Sequence, residues 1–171
     1  MVGPRSGRRL LGWAALVLAA GYCLLAAGWY WQARSADDLA YGRARDAVLA
    51  QGRTALTALN TVDAGEAETG LRDWLAVTTG PLHEQLQRTG TADATTLRQA
   101  GTSAHGTVTD AAVTELDTRA GTARLIATVS VDLTPKAGSA STDRKRFEAG
   151  LARTADGWKV TSLTAVPVGA S

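Results

Sequence analysis

Residues 10–31 read LLGWAALVLAAGYCLLAAGWYW, 22 residues without a charge, and this run constrains the chain more than any other feature. A helix rises about 1.5 Å per residue and the hydrocarbon core of a bilayer is about 30 Å thick, so a helix of this length can cross one. Trp13 falls near one end of the run and Trp29, Tyr30 and Trp31 at the other, where amphipathic rings anchor a helix at the two interfaces. Arg5, Arg8 and Arg9 precede the run, and Arg34, Asp37 and Asp38 follow it. The positive-inside bias predicts a cytoplasmic basic tail over residues 1–9, a single transmembrane helix over 10–31 and an extracytoplasmic domain over 32–171. A cleaved signal peptide is the competing reading. Its apolar region is about 7–15 residues long and ends in a small-x-small site, whereas here bulky aromatics stand where cleavage would fall. Tyr22 immediately before Cys23 argues against a lipoprotein site, which needs a small residue there, so Cys23 reads as a packing residue in lipid. Gly21, Gly28 and the alanines form no GxxxG seam.

The charge distribution bears on partners. Lys and Arg number 18 against 16 Asp and Glu, a net of +2, but three arginines precede the apolar run and no acid does. The rest of the chain is therefore close to neutral, at −1, and lacks the electrostatic footprint of a nucleic-acid binder. One cysteine excludes an internal disulfide framework, and two histidines leave little for a metal site.

Past the run the pattern predicts helices over about 37–90 and strands over about 104–166. Leu39, Ala47, Val48, Leu56 and Leu59 recur at helical spacing between Asp37 and Leu59, in a helix able to continue from the membrane span. Asn60–Gly65 reads as a turn and Glu66–Thr78 as a second helix with Leu71, Trp74 and Leu75 on one face. Thr79, Gly80 and Pro81 stop it. A short third helix is expected over Leu82–Arg88, ended by Gly90. The period then changes to two: Ala123, Leu125, Ala127, Val129, Val131 and Leu133 alternate with polar residues, with Ile126 out of step. Before it, Val108 and Val113 fall on opposite parities, which a bulge near Asp110 reconciles. Asp117–Gly121 supplies a turn, Pro135–Ser141 a loop, and Thr142–Thr154 a third strand carrying Phe147, Ala149 and Leu151 on one face. Asp156 and Gly157 predict a two-residue hairpin turn with positive φ before the last strand, Trp158–Val166. Four antiparallel strands preceded by about three helices is an α+β design, the helices covering one face of a curved sheet.

The sequence offers no chemistry that rises above structural readings. His83 has Glu84 beside it, but adjacent helix residues do not face each other, so it reads as a surface histidine. His105 sits near the start of the first strand with no second ligand at metal-binding spacing. Asp110 is explained by the bulge, Asp117 by its turn, and Asp132 by the polar face of its strand. Asp143, Arg144, Lys145 and Arg146 form a basic cluster that reads as protection of an exposed strand against unwanted pairing. No GxSxG, HExxH, Walker or dinucleotide signature occurs, and no catalytic, cofactor-binding or metal residue is assigned.

An ordered set of weak motifs carries a resemblance. The N-terminal apolar run, Thr79-Gly80 after the second helix, Gly106-Thr107-Val108 followed by Ala111, and Asp156 to Val160 (DGWKV) occur together in this order. Over Leu10–Val166 the chain resembles the Mce-associated membrane proteins of mycobacteria and related actinobacteria. The resemblance implies an outer domain with the cone-shaped fold typified by nuclear transport factor 2. It also implies an accessory or assembly role beside lipid importers of the mammalian-cell-entry type, with a membrane protein or envelope assembly as partner. Fold does not settle function. An apolar ligand such as a lipid or sterol inside the cone is the alternative, and an isomerase- or dehydratase-like enzyme a third. The inward strand residues read as Ala, Val, Leu and Phe, without the acid–base groups the enzyme would need. The anchor is checked by N-terminal mapping: protein from membranes is expected to begin near Met1 and to resist carbonate extraction. A mature N-terminus between residues 26 and 40 would mark a cleaved signal.

Overall fold

The computed structural model describes the backbone of residues 6–167, with side chains described at 21–25 and 38–167. It divides into two compact units, Met1–Arg43 and Ala44–Ser171. The first is helical throughout its described backbone, being part of helix α1 (Ser6–Leu59). The apolar run at 10–31 lies on α1, but apart from 21–25 its side chains fall outside the described residues. Among the described residues no helix is long and apolar enough to cross a membrane. Tyr22, Cys23, Leu24 and Leu25 are exposed.

The second unit opens with the end of α1. A one-turn 3-10 helix, Ala64–Glu66, follows, capped by Asp63, whose carboxylate accepts from Gly65 N–H at 2.7 Å. Helix α2 (Ala67–Ala76) and helix α3 (Gly80–Ala100) complete the helical part. Strands β1 (Thr102–Asp117), β2 (Thr122–Pro135), β3 (Ser141–Thr154) and β4 (Gly157–Ala165) then form one antiparallel meander in chain order. The α+β design with four antiparallel strands is as the alternation of the sequence predicts.

The core forms where one face of the sheet meets the helices. Alternate residues of β2 (Ala123, Leu125, Ala127, Val129 and Val131) are buried, with Phe147, Ala149 and Leu151 of β3 and Trp158 and Val160 of β4. Val48, Ala55 and Leu56 of α1 join the same cluster. Ile126, the residue out of step, is 41% exposed on the opposite face. The bulge expected near Asp110 is present as a register shift between Val108 and Asp110, and a second shift lies between Val113 and Glu115.

Two expectations are corrected. Helix α3 runs through Gly90 to Ala100 and is not ended by Gly90. The glycine is a packing residue: a Cβ there would lie 2.3 Å from Leu71 Cδ1, so α2 and α3 approach where only glycine fits. Gly101, at φ +62°, ends the helix with its N–H donating to Leu97 O at 3.1 Å. The β3–β4 hairpin also differs. Thr154 pairs with Gly157, so the two-residue loop is Ala155–Asp156. Gly157 takes φ +110°, and no non-glycine residue among those described has positive φ, so the turn is not of the mirror-image type. Gly157 packs under α1, where a Cβ would meet Gln51 Oε1 at 2.7 Å. Gly157→Val is therefore expected to cost roughly 1–3 kcal/mol from backbone strain. Thermal melting of the variant checks this, and an unchanged melting temperature would contradict the geometry.

Candidate functional site

The helix-facing side of the sheet is where a fold of this shape would hold a ligand. That side is filled. Leu56, Leu125, Leu151, Val48, Val129 and Val160 are the largest fully buried side chains, and they meet one another across it. Gly52 of α1 sits so close that a Cβ would lie 3.0 Å from Leu125 Cδ1. Grooves of about 510, 370, 350 and 210 Å³ lie at the surface and open to solvent. The groove of about 510 Å³ runs over the exposed face of the sheet, past Glu115, Arg124, Glu148, Gly150, Ser162 and Thr164. Within it Arg124 Nη1 is hydrogen-bonded to Glu148 and its Nε lies 3.4 Å from Glu115. The Glu148 hydrogen bond, then the Glu115 charge, raises the guanidinium pKa above its ordinary value. The groove thus holds one cation already answered by two carboxylates.

The candidate residues are dispersed. His83 is half-buried at the junction of α2 and α3 and is not the surface residue its sequence context predicts. Its Nδ1 lies 3.1 Å from Leu75 O and 3.3 Å from Thr78 Oγ1, and Gln87 Nε2 lies 3.1 Å from its Nε2. Buried Thr78 in turn donates to Trp74 O at 2.8 Å. Thr78 satisfies a carbonyl in the last turn of α2, and His83 adds a contact to Leu75 O, which also accepts from the backbone N–H groups of Val77 and Thr78. Sequence spacing carried a signal for this: Thr78 lies four residues beyond Trp74, the distance at which a threonine hydroxyl reaches back to a carbonyl. His105 is exposed on β1, in register with Asp132, which accepts from Thr142 Oγ1 at 2.6 Å. Asp110 lies at the bulge. Asp117 accepts from Arg119 and Ala120 N–H at 2.9 and 2.8 Å. Those hydrogen bonds, that from Ala120 foremost, hold its carboxyl below the ordinary range. No group of three His, Cys, Asp or Glu able to hold a metal occurs among the described residues.

The edges of the sheet are handled unequally. Val62 pairs with the start of β1: its N–H donates to Ala104 O and its carbonyl accepts from Ala104 N–H, both at 2.8 Å. Arg53 Nη2 donates to Val108 O at 3.1 Å. At the other edge, Val160 N–H donates to Val77 O at 3.0 Å and Thr79 N–H to Val160 O at 2.9 Å. β3 is an inner strand by order, but β4 pairs only with Phe147–Thr154. Ser141–Arg146, which contains the basic cluster, is exposed throughout, and among the described residues it is paired with β2 alone except at Arg146, whose carbonyl accepts from Val166 N–H at 2.8 Å.

Neither a protein-family model nor a curated protein matches the sequence. Solved structures share the fold. An IcmL-like type IV secretion system protein from Legionella pneumophila is 13% identical over 74% of this chain and 95% of its own, with a TM-score of 0.60. CagV, a VirB8 homolog of the type IV secretion system of Helicobacter pylori, is 12% identical over 72% of this chain and 99% of its own, at 0.56. The periplasmic domain of DotI is 12% identical over 71% and 94%, at 0.58. At these identities the likeness is one of fold, the α+β cone of the nuclear transport factor 2 kind.

The two histidines separate structure from chemistry. His83→Ala is expected to cost about 1 kcal/mol of stability by stripping the cap of α2, whereas His105→Ala should leave the melting temperature unchanged. Asp117→Ala should lose the turn's contribution above the ordinary carboxylate range. In the wild type that contribution fades as pH falls through the lowered pKa, so wild type and variant should converge in acid, as pH-dependent melting would show.

Proposed function

We propose that the chain is a membrane-anchored, extracytoplasmic assembly module that acts by protein contact and not by catalysis. The observation that carries this reading is the filled interior: Leu56, Leu125 and Leu151 occupy the space an enclosed ligand would need. What remains for recognition is surface and strand edge. The candidate acid–base groups support the same reading, because His83 caps a helix and His105 and Asp132 lie exposed on the open face, far in sequence and register from the Asp117 turn. The solved structures of the same fold include type IV secretion system proteins and a periplasmic domain, which supports an extracytoplasmic assembly role here by analogy. The uncharged run at 10–31 with arginines before it supplies the anchor. The sequence resemblance makes a lipid importer of the mammalian-cell-entry type the partner assembly we infer.

The test is co-purification from gently solubilised membranes. The full-length protein is expected to bring down an integral or envelope-spanning partner, and a secreted 34–171 domain to bind that partner more weakly. Equal binding by the untethered domain, together with rescue of function, would remove the anchor from the mechanism. Recovery of a stoichiometric lipid or sterol in place of a protein would overturn the reading.

A further inference from the structure

Among the described residues, the unpaired half of β3 combines an unbulged strand edge with arginines that have no ion-pair partner. Its backbone directions follow from one hydrogen bond. Val166 N–H donates to Arg146 O at 2.8 Å, so the main-chain groups of Arg146 face the β4 side. Alternation along the strand turns those of Arg144 and Thr142 the same way, while Lys145 and Asp143 bond to Val129 and Val131 of β2. Beyond Val166, no described residue pairs with Arg144 or Thr142 on that side. The pairing of β3 with β2 shows no register shift, so this edge is flat. By contrast, the unpaired end of β1 is bulged twice and carries Asp110, Glu115 and Asp117, and bulges blunt an edge.

The charge on the half-edge is specific. Lys145 lies 3.8 Å from Asp143, which leaves Arg144 and Arg146 without an ion-pair partner among the described residues. Both project from the exposed face, flanking the line along which another strand would lie, with Ser130 and Thr128 of β2 in register beside them.

The geometry points to a docking site for an extended acidic polypeptide segment of a partner protein, which adds as a strand along Ser141–Lys145 and continues the line of β4 beyond Val166. Unpaired alternate N–H and C=O groups select an extended backbone. Arg144 selects a carboxylate at its facing position, and Arg146, whose own facing position is held by Val166, selects one at the diagonal position, where opposite charges across strands attract. Arginines on an edge repel basic strands while admitting acidic ones, so protection and selectivity arise from the same residues. A second copy of this chain is a poor occupant, because its acidic edge, β1, is bulged. The site names the partner chemistry for the assembly role proposed above. Its test is independent of that role, since peptide binding and membrane co-purification can each fail alone.

The probe is a short synthetic peptide alternating glutamate and valine, titrated against the full-length protein in detergent. It is expected to bind, with affinity falling as salt rises. Arg144→Glu combined with Arg146→Glu should weaken binding by roughly tenfold or more. Thr142→Pro removes an edge N–H without changing charge and leaves the β2 ladder intact, so it too should weaken binding, at an unchanged melting temperature. N-methylation of the peptide at alternate positions should abolish binding. The proposal is overturned if the methylated peptide binds equally, which would leave only charge attraction. It also falls if anionic vesicles compete fully with the peptide, if the protein self-associates through this edge, or if binding appears only after residues 168–171 are removed.

Discussion

The close seating of α1 on the sheet is the constraint on which the second unit depends. Gly52 lets the helix backbone approach Leu125 and Leu151, and Val48 and Leu56, each within a turn or so of it, bury completely on either side. A bulkier residue at 52 would lift the helix and open the core along the length of β2. The same contact orders the hairpin at the far end, where Gln51 Oε1 accepts from Trp158 N–H and Gly157 leaves room for the amide. Substituting a large core residue such as Leu125 would cost about 2–5 kcal/mol, enough to dominate the stability of a small domain. This packing supports the proposed role in protein contact, because the apolar side chains on the helix-facing side of the sheet serve stability.

With the inside committed, the helical segments serve as edge covers. The residues between α1 and α2 do so at β1: Val62 closes two backbone hydrogen bonds with Ala104, and Thr61 Oγ1 accepts from Gly106 N–H at 3.1 Å. Gly106 is required there, since a Cβ would fall 2.6 Å from Asn60 Cβ. The segment between α2 and α3 does the same at β4 through Val77 and Thr79. Trp74 ties the two covers together, its indole N–H donating to Ala58 O at 2.9 Å and also reaching Thr61 O at 3.2 Å. His83 and Thr78 belong to this cover through their contacts with each other and with Leu75 O.

Much of this was legible in the sequence, for identifiable reasons. The alternation of β2 has a strong period of two, and its exception, Ile126, is the residue that faces outward. The bulge at Asp110 was readable because two apolar parities have to be reconciled on one buried face. The extent of α3 was not readable. Gly90 looks like a stop in a list of residues, and only the position of Leu71 on another helix shows that it is a contact. The hairpin failed for a subtler reason: a glycine after an aspartate suits a mirror-image turn, but pairing of Thr154 with Gly157 moves the loop back by one residue. The role of His83 was hidden because its partners, the carbonyls at the end of α2, have no sequence signature. The basic cluster was read as edge protection; the register adds that its strand is internal along one half and an edge along the other.

A half-edge of this size makes a weak site by itself. Thr142 and Arg144 offer about four backbone hydrogen bonds worth roughly 1 kcal/mol each, and two cross-strand ion pairs add about 0.2–1 kcal/mol apiece. Association costs about 4–15 kcal/mol in lost freedom before any of this is gained. Free in solution, such a domain would bind its partner only transiently. The anchor proposed at residues 10–31 would change the balance without adding a contact, because two proteins held in one membrane meet at an effective concentration of about a millimolar. The near-neutral charge of the chain beyond residue 31 then becomes an advantage. Long-range steering is unnecessary when the partner is already nearby, and a weakly charged surface carrying one basic edge discriminates by local fit. Packed core, covered edges, an open basic half-edge and an apolar N-terminal run are thus mutually consistent with the proposed module, whose affinity would come from being held in place.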